Sequence, residues 1–135
     1  MKPCLIIGST VCDVIINLPA IPLSAQDTNI YSQTLQIGGC AYNVVSILHH
    51  LSLPYTFLSP VGTGVYGEFV ERELNKTGIT TMIRTDQENG CCYCLVEDSG
   101  ERTFLSYHGA EYTFQKAWTD TLNLSAYGYI YACGI

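Results

Sequence analysis

A glycine pair between an extended segment and an amphipathic helix constrains the fold of this chain more than any other feature. Residues 29–37 have the pattern of a strand, Gly38 and Gly39 follow, and apolar residues then recur at helical spacing. Those apolar residues are Val44, Val45, Ile47, Leu48 and Leu51. A strand, a tight turn and a helix in this order form a basic unit of α/β folds.

The same turn predicts a ligand site. Glycine has no Cβ, so a ligand can approach the backbone closely at Gly38 and Gly39. The helix that follows leaves unpaired N–H groups at its start, and Asn43 adds one acceptor and two donors nearby. Together these groups favour a polyol or a sugar. The alternative is an ordinary tight turn in which Asn43 bonds locally.

Strand and helix patterns alternate along the rest of the chain. Strands are predicted at 5–8, 14–18, 55–61 and 127–135, the last one buried, a hairpin at 91–96 and 102–107, and helices at 66–76 and after Thr113. The order is typical of an α/β fold with a largely parallel sheet flanked by helices and a small antiparallel sheet. Because parallel sheets continue through further units, we expect the chain to be the N-terminal part of a longer fold.

Composition excludes several classes of function. The chain has 135 residues and a net charge of −6, so it lacks a basic surface for nucleic acid. No apolar run approaches the roughly 20 residues of a membrane span, and the N-terminus lacks the layout of a signal peptide. We therefore expect a cytoplasmic protein with neither a membrane nor a nucleic-acid partner.

The seven cysteines predict free thiols rather than disulfides or metal ligands. Their number is odd, and no second cysteine or histidine cluster gives the spacing of a zinc site. Cys92 and Cys94 alternate along an apparent strand, and His49 and His50 are adjacent, so they point to different sides of a helix. No metal site built by this chain is expected.

Two further motifs have both a functional and a structural interpretation. The segment 62–67 matches the dinucleotide pattern G-x-G-x-x-G, with Asp86 beyond it, but it belongs to the second strand–helix unit rather than the first. A structural turn is the favoured interpretation. Asp13 follows the first strand, where open α/β sheets bind ligands. Its carboxylate can accept two hydroxyl groups of a sugar, or it can serve as a turn or cap residue.

These segments, in order, resemble the ribokinase-like family of carbohydrate kinases, also called the PfkB family. Residues 8–13 resemble its first strand and substrate-binding aspartate, and 38–44 resemble its N-terminal signature. Residues 61–67 resemble its V-G-x-D-x-x-G turn, with Gly64 where aspartate is frequent, and this likeness replaces the dinucleotide interpretation. Residues 89–91 with the hairpin resemble its lid, and 107–111 resemble the G-A-N or G-A-E segment after the lid.

The resemblance implies a ribokinase-like fold of which residues 1–135 are the N-terminal part, with lid segments around 12–37 and 90–108. It assigns substrate binding to Asp13, Gly38, Gly39 and Asn43. It places near the lid or the substrate Val11, Cys40, Cys92, Cys94 and Glu111. Cys40 and Val11 occupy positions that are often polar in the family, so we expect fewer contacts to hydroxyl groups there.

In that family the γ-phosphoryl group of ATP passes to a hydroxyl of a sugar or nucleoside, and Mg²⁺ arrives with ATP. The family's catalytic aspartate belongs to a G-A-G-D motif in the C-terminal half, and this sequence has no such motif. The 135 residues are therefore expected to contain no catalytic residue and to be inactive alone, and a homodimer through the lid is expected. The alternative is a non-catalytic kinase remnant that acts as a small-molecule-binding or assembly module.

Overall fold

The computed structural model describes residues 1–133, which form nine strands and three α-helices. In chain order these are β1 (Cys4–Gly8), β2 (Val11–Leu18), β3 (Ser32–Gly38), α1 (Cys40–His50), β4 (Tyr55–Leu58), β5 (Pro60–Thr63), α2 (Gly64–Thr77), β6 (Ile83–Glu88), β7 (Cys91–Glu97), β8 (Arg102–Tyr107), α3 (Ala117–Asp120) and β9 (Tyr129–Cys133). None of the helices within these residues is long and apolar enough to cross a membrane.

The body of the molecule contains two parallel sheets. In the first, β1 lies between β4 and β9 and runs parallel to both. In the second, β5 pairs with β6, also in parallel. Helix α1 packs beside β1, β4 and β9, and α2 packs against β5 and β6. Because parallel strands end at a common edge, the segment that follows β1 lies at the edge where β4 and β9 also end.

A four-stranded sheet, here called the lid sheet, stands beside this body. Its order is β3-β2-β7-β8. The outer pairs, β2 with β3 and β7 with β8, are antiparallel, as expected for the predicted hairpin. The central pair, β2 with β7, is parallel, with residue 12 opposite residue 91. The sequence predicted a purely antiparallel sheet because it gave no indication that two distant segments share one sheet.

The hydrophobic core lies between α1, α2 and the strands of the body. Its fully buried side chains include Ile6, Val45, Phe57, Val61, Val70 and Leu74. The inner face of α2 consists of Phe69, Val70 and Leu74, which are all buried. The helix ends at Gly78 in the left-handed conformation, with φ of 74°, which is typical of a glycine C-cap.

Truncation of Leu74 tests this core. Leu74→Ala should lower the free energy of unfolding by about 2–5 kcal/mol, because it removes a fully buried side chain and leaves a cavity. The matched change Leu23→Ala removes a side chain that is 73% exposed and should cost less than about 0.5 kcal/mol. Urea denaturation of both variants measures the difference, and equal losses would contradict this core assignment.

Two predicted apolar surfaces are more exposed than the sequence suggested. Within the predicted stripe of α1, Val45 is buried, whereas Ile47 and Leu51 are 61% and 58% exposed, because the helix turns Ala41 and Tyr42 inward beside Val45. The predicted strand 127–135 was expected to be buried. Strand β9 has only β1 beside it among the described residues, and its tyrosines are exposed. The last two positions of that prediction lie outside the described residues.

Several elements also differ from the sequence prediction. The single strand expected at 55–61 is two strands, β4 and β5, which separate at Ser59. Strand β6 was not predicted, because its sequence is polar and mostly exposed. The helix expected to begin after Thr113 begins at Ala117; Thr113 instead ends a single 3₁₀ turn, Ala110–Tyr112, and its hydroxyl donates to the carbonyl of Gly109 at 3.3 Å.

Candidate functional site

A cavity of about 160 Å³ lies where the carboxyl end of β1 meets the lid sheet. Its walls come from the segment after β1, from β2, from the start of α1, from β7 and β8, and from the 3₁₀ turn. The lining residues are Ser9, Val11, Asp13, Gly39, Cys40, Cys91, Cys92, Ser106 and Tyr112. This edge of a parallel sheet is where open α/β folds bind ligands.

Asp13 provides the carboxylate in this cavity. It lies on β2, with Gln36 of β3 opposite on one side and Cys92 of β7 on the other. The side chain is half-buried, and this burial raises the pKa of its carboxyl group above the ordinary 3.8. Within residues 1–133 the carboxylate accepts no hydrogen bond, so its oxygens are available to donors on a ligand.

The glycine pair forms the wall beside Asp13. A Cβ on Gly38 would collide with Oδ2 of Asp13, so only glycine leaves room for the carboxylate. Gly39 precedes the first residue of α1 with φ of 100° and ψ of 145°, a conformation that other residues avoid. A Cβ there would lie 2.5 Å from the carbonyl oxygen of Ser9. The turn is therefore pressed against the segment that follows β1.

The structure brings together five of the nine residues that the resemblance singled out. Val11, Asp13, Gly39, Cys40 and Cys92 all line the cavity. Gly38 does not line the cavity, but it lies directly against the Asp13 side chain, which does. The remaining three residues lie elsewhere.

Asn43, Cys94 and Glu111 do not line the cavity. Asn43 is exposed on the first turn of α1, with its backbone N–H bonded to the carbonyl of Gly39 at 3.0 Å. Cys94 is buried further along β7, opposite Ile15 of β2. Glu111 is only 2% exposed, and its carboxylate accepts backbone hydrogen bonds. Their proposed roles in substrate binding therefore stay predictions.

Sequence reasoning missed Ser9, Cys91, Ser106 and Tyr112. Ser9 follows β1 directly, so the strand-end rule that singled out Asp13 could have found it as well. Ser106 lies opposite Cys92 in the hairpin register, which places both on one face. Tyr112 gave no sequence signal; its ring stacks on His108 with centroids 3.8 Å apart.

Two cysteines of the lid sheet, Cys92 in the cavity and Cys12 on β2, have thiol pKa values above the ordinary 9.0. Burial raises the pKa of Cys92, although the hydroxyl of Ser106, which donates to its sulfur at 3.7 Å, opposes this shift. Burial also raises the pKa of Cys12 to about 12. A thiol in this state is a small apolar group rather than a nucleophile. Among residues 1–133, no cluster of three acidic, histidine or cysteine side chains is placed to hold a metal ion.

The raised pKa of Asp13 predicts how stability changes with pH. The folded chain binds a proton at Asp13 more tightly than the unfolded chain does, so the charged carboxylate costs stability at neutral pH and this cost vanishes as the pH falls through the folded pKa. Asp13→Asn should therefore raise the Tm at pH 7, and the gain should shrink toward zero below pH 3.8. Thermal melts across this range measure it, and a gain that grows with acidity would contradict the sign.

The architecture is that of an α/β protein with a cavity at the carboxyl end of its parallel strands. The sequence matches the pfkB family of carbohydrate kinases over residues 1–135. It is 32% identical over 131 residues to an uncharacterized sugar kinase, YegV, of Escherichia coli (strain K12), and 29% identical over 110 residues to ketohexokinase of Mus musculus. The chain belongs to the pfkB family of carbohydrate kinases.

Solved structures show the same fold. The ribokinase of Cryptococcus neoformans var. grubii serotype A, in complex with ADP, matches 98% of this chain with a TM-score of 0.79 and 21% identity. The ribokinase of Thermotoga maritima matches 96% with a TM-score of 0.78 and 17% identity. The fold is thus ribokinase-like, as the sequence predicted.

The match covers only part of each relative. It covers 96% of this chain but 41% of the Escherichia coli protein, and 78% of this chain but 37% of the mouse protein. For the two ribokinase structures the shares are 42% and 44% of their chains. The chain therefore spans about two fifths of the length of these relatives.

Proposed function

We propose that the full-length protein is a kinase that transfers the γ-phosphoryl group of ATP to a hydroxyl of a sugar or nucleoside, and that this chain supplies the acceptor site. The observation that carries the proposal is the half-buried Asp13 carboxylate, which lies in the cavity beside the glycine pair without a hydrogen-bond donor from residues 1–133. Membership of the pfkB family and the sugar kinase relative support it.

Each group in the cavity has a role in this proposal. Asp13 accepts hydrogen bonds from one or two hydroxyl groups of the acceptor, and the bare backbone of Gly39 lets the ring approach closely. Ser9 and Ser106 can donate to or accept from further hydroxyl groups. Val11 and Cys40 contact carbon atoms rather than oxygens. Asn43, one turn into α1, is proposed as an additional contact once the acceptor is bound.

The lid sheet is proposed to exclude water from the reaction. Its strands β7 and β8 contribute Cys92 and Ser106 to the lining of the cavity. Closing over the acceptor would prevent transfer of the phosphoryl group to water and would hold the hydroxyl in place.

The nucleotide and the catalytic base are proposed to lie outside these 135 residues. The described residues offer no carboxylate cluster for Mg²⁺, and the sequence lacks the G-A-G-D motif. No step of the transfer is therefore assigned to residues of this chain beyond holding and orienting the acceptor hydroxyl. We expect the 135 residues alone to bind the acceptor weakly and to transfer no phosphoryl group.

A homodimer through the lid sheet is proposed as the assembly. Leu35, Phe104, Leu105 and Tyr107 of the lid strands are all exposed, and large apolar side chains grouped on one sheet are typical of an interface. Sedimentation of the full-length protein should give a dimer, and Phe104→Glu should shift it toward the monomer. A monomeric wild-type protein would contradict this assembly.

A phosphorylation screen tests the function. The purified full-length protein is supplied with ATP, Mg²⁺ and a panel of ketohexoses, aldopentoses and nucleosides, and ADP release is measured. Turnover of one acceptor class is expected, and the exposed substitution Asp27→Asn, outside the cavity, should leave it unchanged. No turnover with any acceptor, together with acceptor binding to the cavity, would instead favour the binding module. Turnover by the 135 residues alone would contradict a catalytic base outside them.

A further inference from the structure

The chain passes between the body and the hairpin of the lid sheet at two glycines that touch each other. Gly90 joins β6 to β7, and Gly109 follows β8. A Cβ on Gly109 would collide with the backbone nitrogen of Gly90 and the carbonyl oxygen of Glu88, and a Cβ on Gly90 would collide with the carbonyl oxygen of Tyr107. The two segments that cross between the body and the hairpin, around Gly90 and around Gly109, therefore pack backbone against backbone. They are here called the lid hinge.

One buried carboxylate joins these two segments. Oε2 of Glu111 accepts the N–H of Gly90 at 2.8 Å, and Oε1 accepts the N–H of Gly109 at 3.1 Å. Glu111 is only 2% exposed and forms no ion pair within residues 1–133. Its charge is thus compensated by backbone N–H groups rather than by a cation. A surface role for this side chain is excluded by its burial.

A neighbouring side chain fixes the same hinge to the body. The backbone N–H of Asn89 donates to the carbonyl of Thr63 at 3.0 Å, and its side-chain oxygen accepts the N–H of Gly62 at 2.6 Å. Gly62 and Thr63 are the last two residues of β5, directly before α2. Asn89 therefore attaches the hinge to the body, and Glu111 connects the two crossing segments of the hinge to each other. This connection is here called the joint.

We propose that Glu111 is the positioning residue of the lid hinge, which ties its two crossing segments together so that β7 and β8 move over the cavity as one unit. This role concerns a residue that touches neither the cavity nor the reacting atoms. The effect on catalysis rests on the proposed kinase function, whereas the effect on the hinge does not.

The chemistry of the joint requires a carboxylate. Two backbone N–H groups point at one side chain, so both of its terminal atoms must be acceptors. Glutamine offers one oxygen and one NH₂ group, and the NH₂ group would face an N–H donor. Glu111→Gln therefore keeps the shape of the side chain but loses one hydrogen bond and sets two donors against each other.

Hydrogen exchange of the full-length protein tests the hinge directly. In Glu111→Gln, the amides of Gly90, Gly109 and the β7–β8 hairpin should exchange about 10- to 100-fold faster, whereas the amides of α2 should keep their wild-type rates. Glu101→Gln makes the same chemical change at the exposed tip of the hairpin and should leave all these rates unchanged. Unchanged hinge rates in Glu111→Gln would overturn the proposal, and so would a uniform acceleration that includes α2.

A second variant covers the case in which Glu111→Gln does not fold. Glu111→Asp keeps the charge and both acceptors but shortens their reach, so it should accelerate exchange selectively at the hinge, by less than Glu111→Gln. Wild-type exchange at the hinge in Glu111→Asp would overturn the proposal.

Kinetics separate the hinge from the kinase function. If the protein phosphorylates an acceptor, the Glu111 variants should raise the KM for that acceptor about tenfold and leave the KM for ATP unchanged, because the lid sheet lines the cavity proposed for the acceptor and the nucleotide is proposed to bind outside this chain. If the Glu111 variants exchange faster at the hinge but the wild-type protein turns over no acceptor, the hinge proposal is supported and the kinase proposal is not. If the wild-type protein turns over an acceptor but the variants keep wild-type amide exchange at the hinge, the kinase proposal is supported and the hinge proposal is not.

Discussion

Asp13→Asn is expected to lower kcat/KM for the acceptor about 100- to 10,000-fold in the full-length protein. The carboxylate can accept two hydroxyl hydrogen bonds, each worth about 1.5–3 kcal/mol when one partner is charged, and asparagine keeps only one acceptor oxygen and adds a donor. Because Asp13 is half-buried and receives no hydrogen bond within residues 1–133, the wild-type site is prepared for a ligand rather than for its own stability.

The same substitution should leave the fold intact. The half-buried charge costs stability, so Asp13→Asn should melt at a higher temperature than the wild-type protein at pH 7. Steady-state kinetics and thermal melts on one preparation measure both effects. Lost activity together with a lower Tm would mean that Asp13 supports the fold, and normal turnover would mean that the acceptor binds elsewhere. Asp27→Asn, exposed and outside the cavity, is the control for charge alone.

Gly39→Ala is expected to destabilise the fold strongly. The left-handed backbone at φ of 100° costs about 1–3 kcal/mol for any residue with a Cβ. The added methyl group would also lie 2.5 Å from the carbonyl oxygen of Ser9 and 3.1 Å from the backbone nitrogen of Val11. These neighbours are backbone atoms, so they cannot rotate away, and the start of α1 must shift.

Gly100→Ala separates the two causes. Gly100, in the turn of the lid hairpin, also has positive φ, 86°, but a Cβ there would meet no atom within 4 Å. It should therefore cost only the conformational strain, about 1–2 kcal/mol. Chemical denaturation of both variants gives the comparison. Equal losses would show that the close contact between the Gly39 turn and the segment after β1 is unimportant.

The sequence predicted the elements whose signals are local. Strand β3, the glycine pair and α1 follow one another as expected, because turn chemistry and helical periodicity both act over a few residues. The hairpin of β7 and β8 follows from alternation and its polar turn. The ribokinase-like fold followed from the order of the motifs, and the family match supports it.

The features that could not be predicted from the sequence depend on contacts between residues far apart in the chain. Strand β6 is polar, so its place beside β5 is decided by tertiary packing rather than by its own pattern. Ser106 enters the cavity because of its register with Cys92, and register is invisible until the hairpin is aligned. The hydrogen bonds of Glu111 with the backbone N–H groups of Gly90 and Gly109 could not be predicted either, because backbone groups leave no trace in the sequence.

The parallel pairing of β2 with β7 has a consequence for how the chain folds. The lid sheet forms only when residue 12 pairs with residue 91. Pairing residues so far apart in sequence loses loop-closure entropy before any stabilising contact forms. The strand pair of β1 and β4 and the two long helices need shorter loops. The lid sheet should therefore assemble after the β1–β4 pair and the two long helices during synthesis and open before them in the native protein, so the mobility required for binding is set by chain connectivity itself.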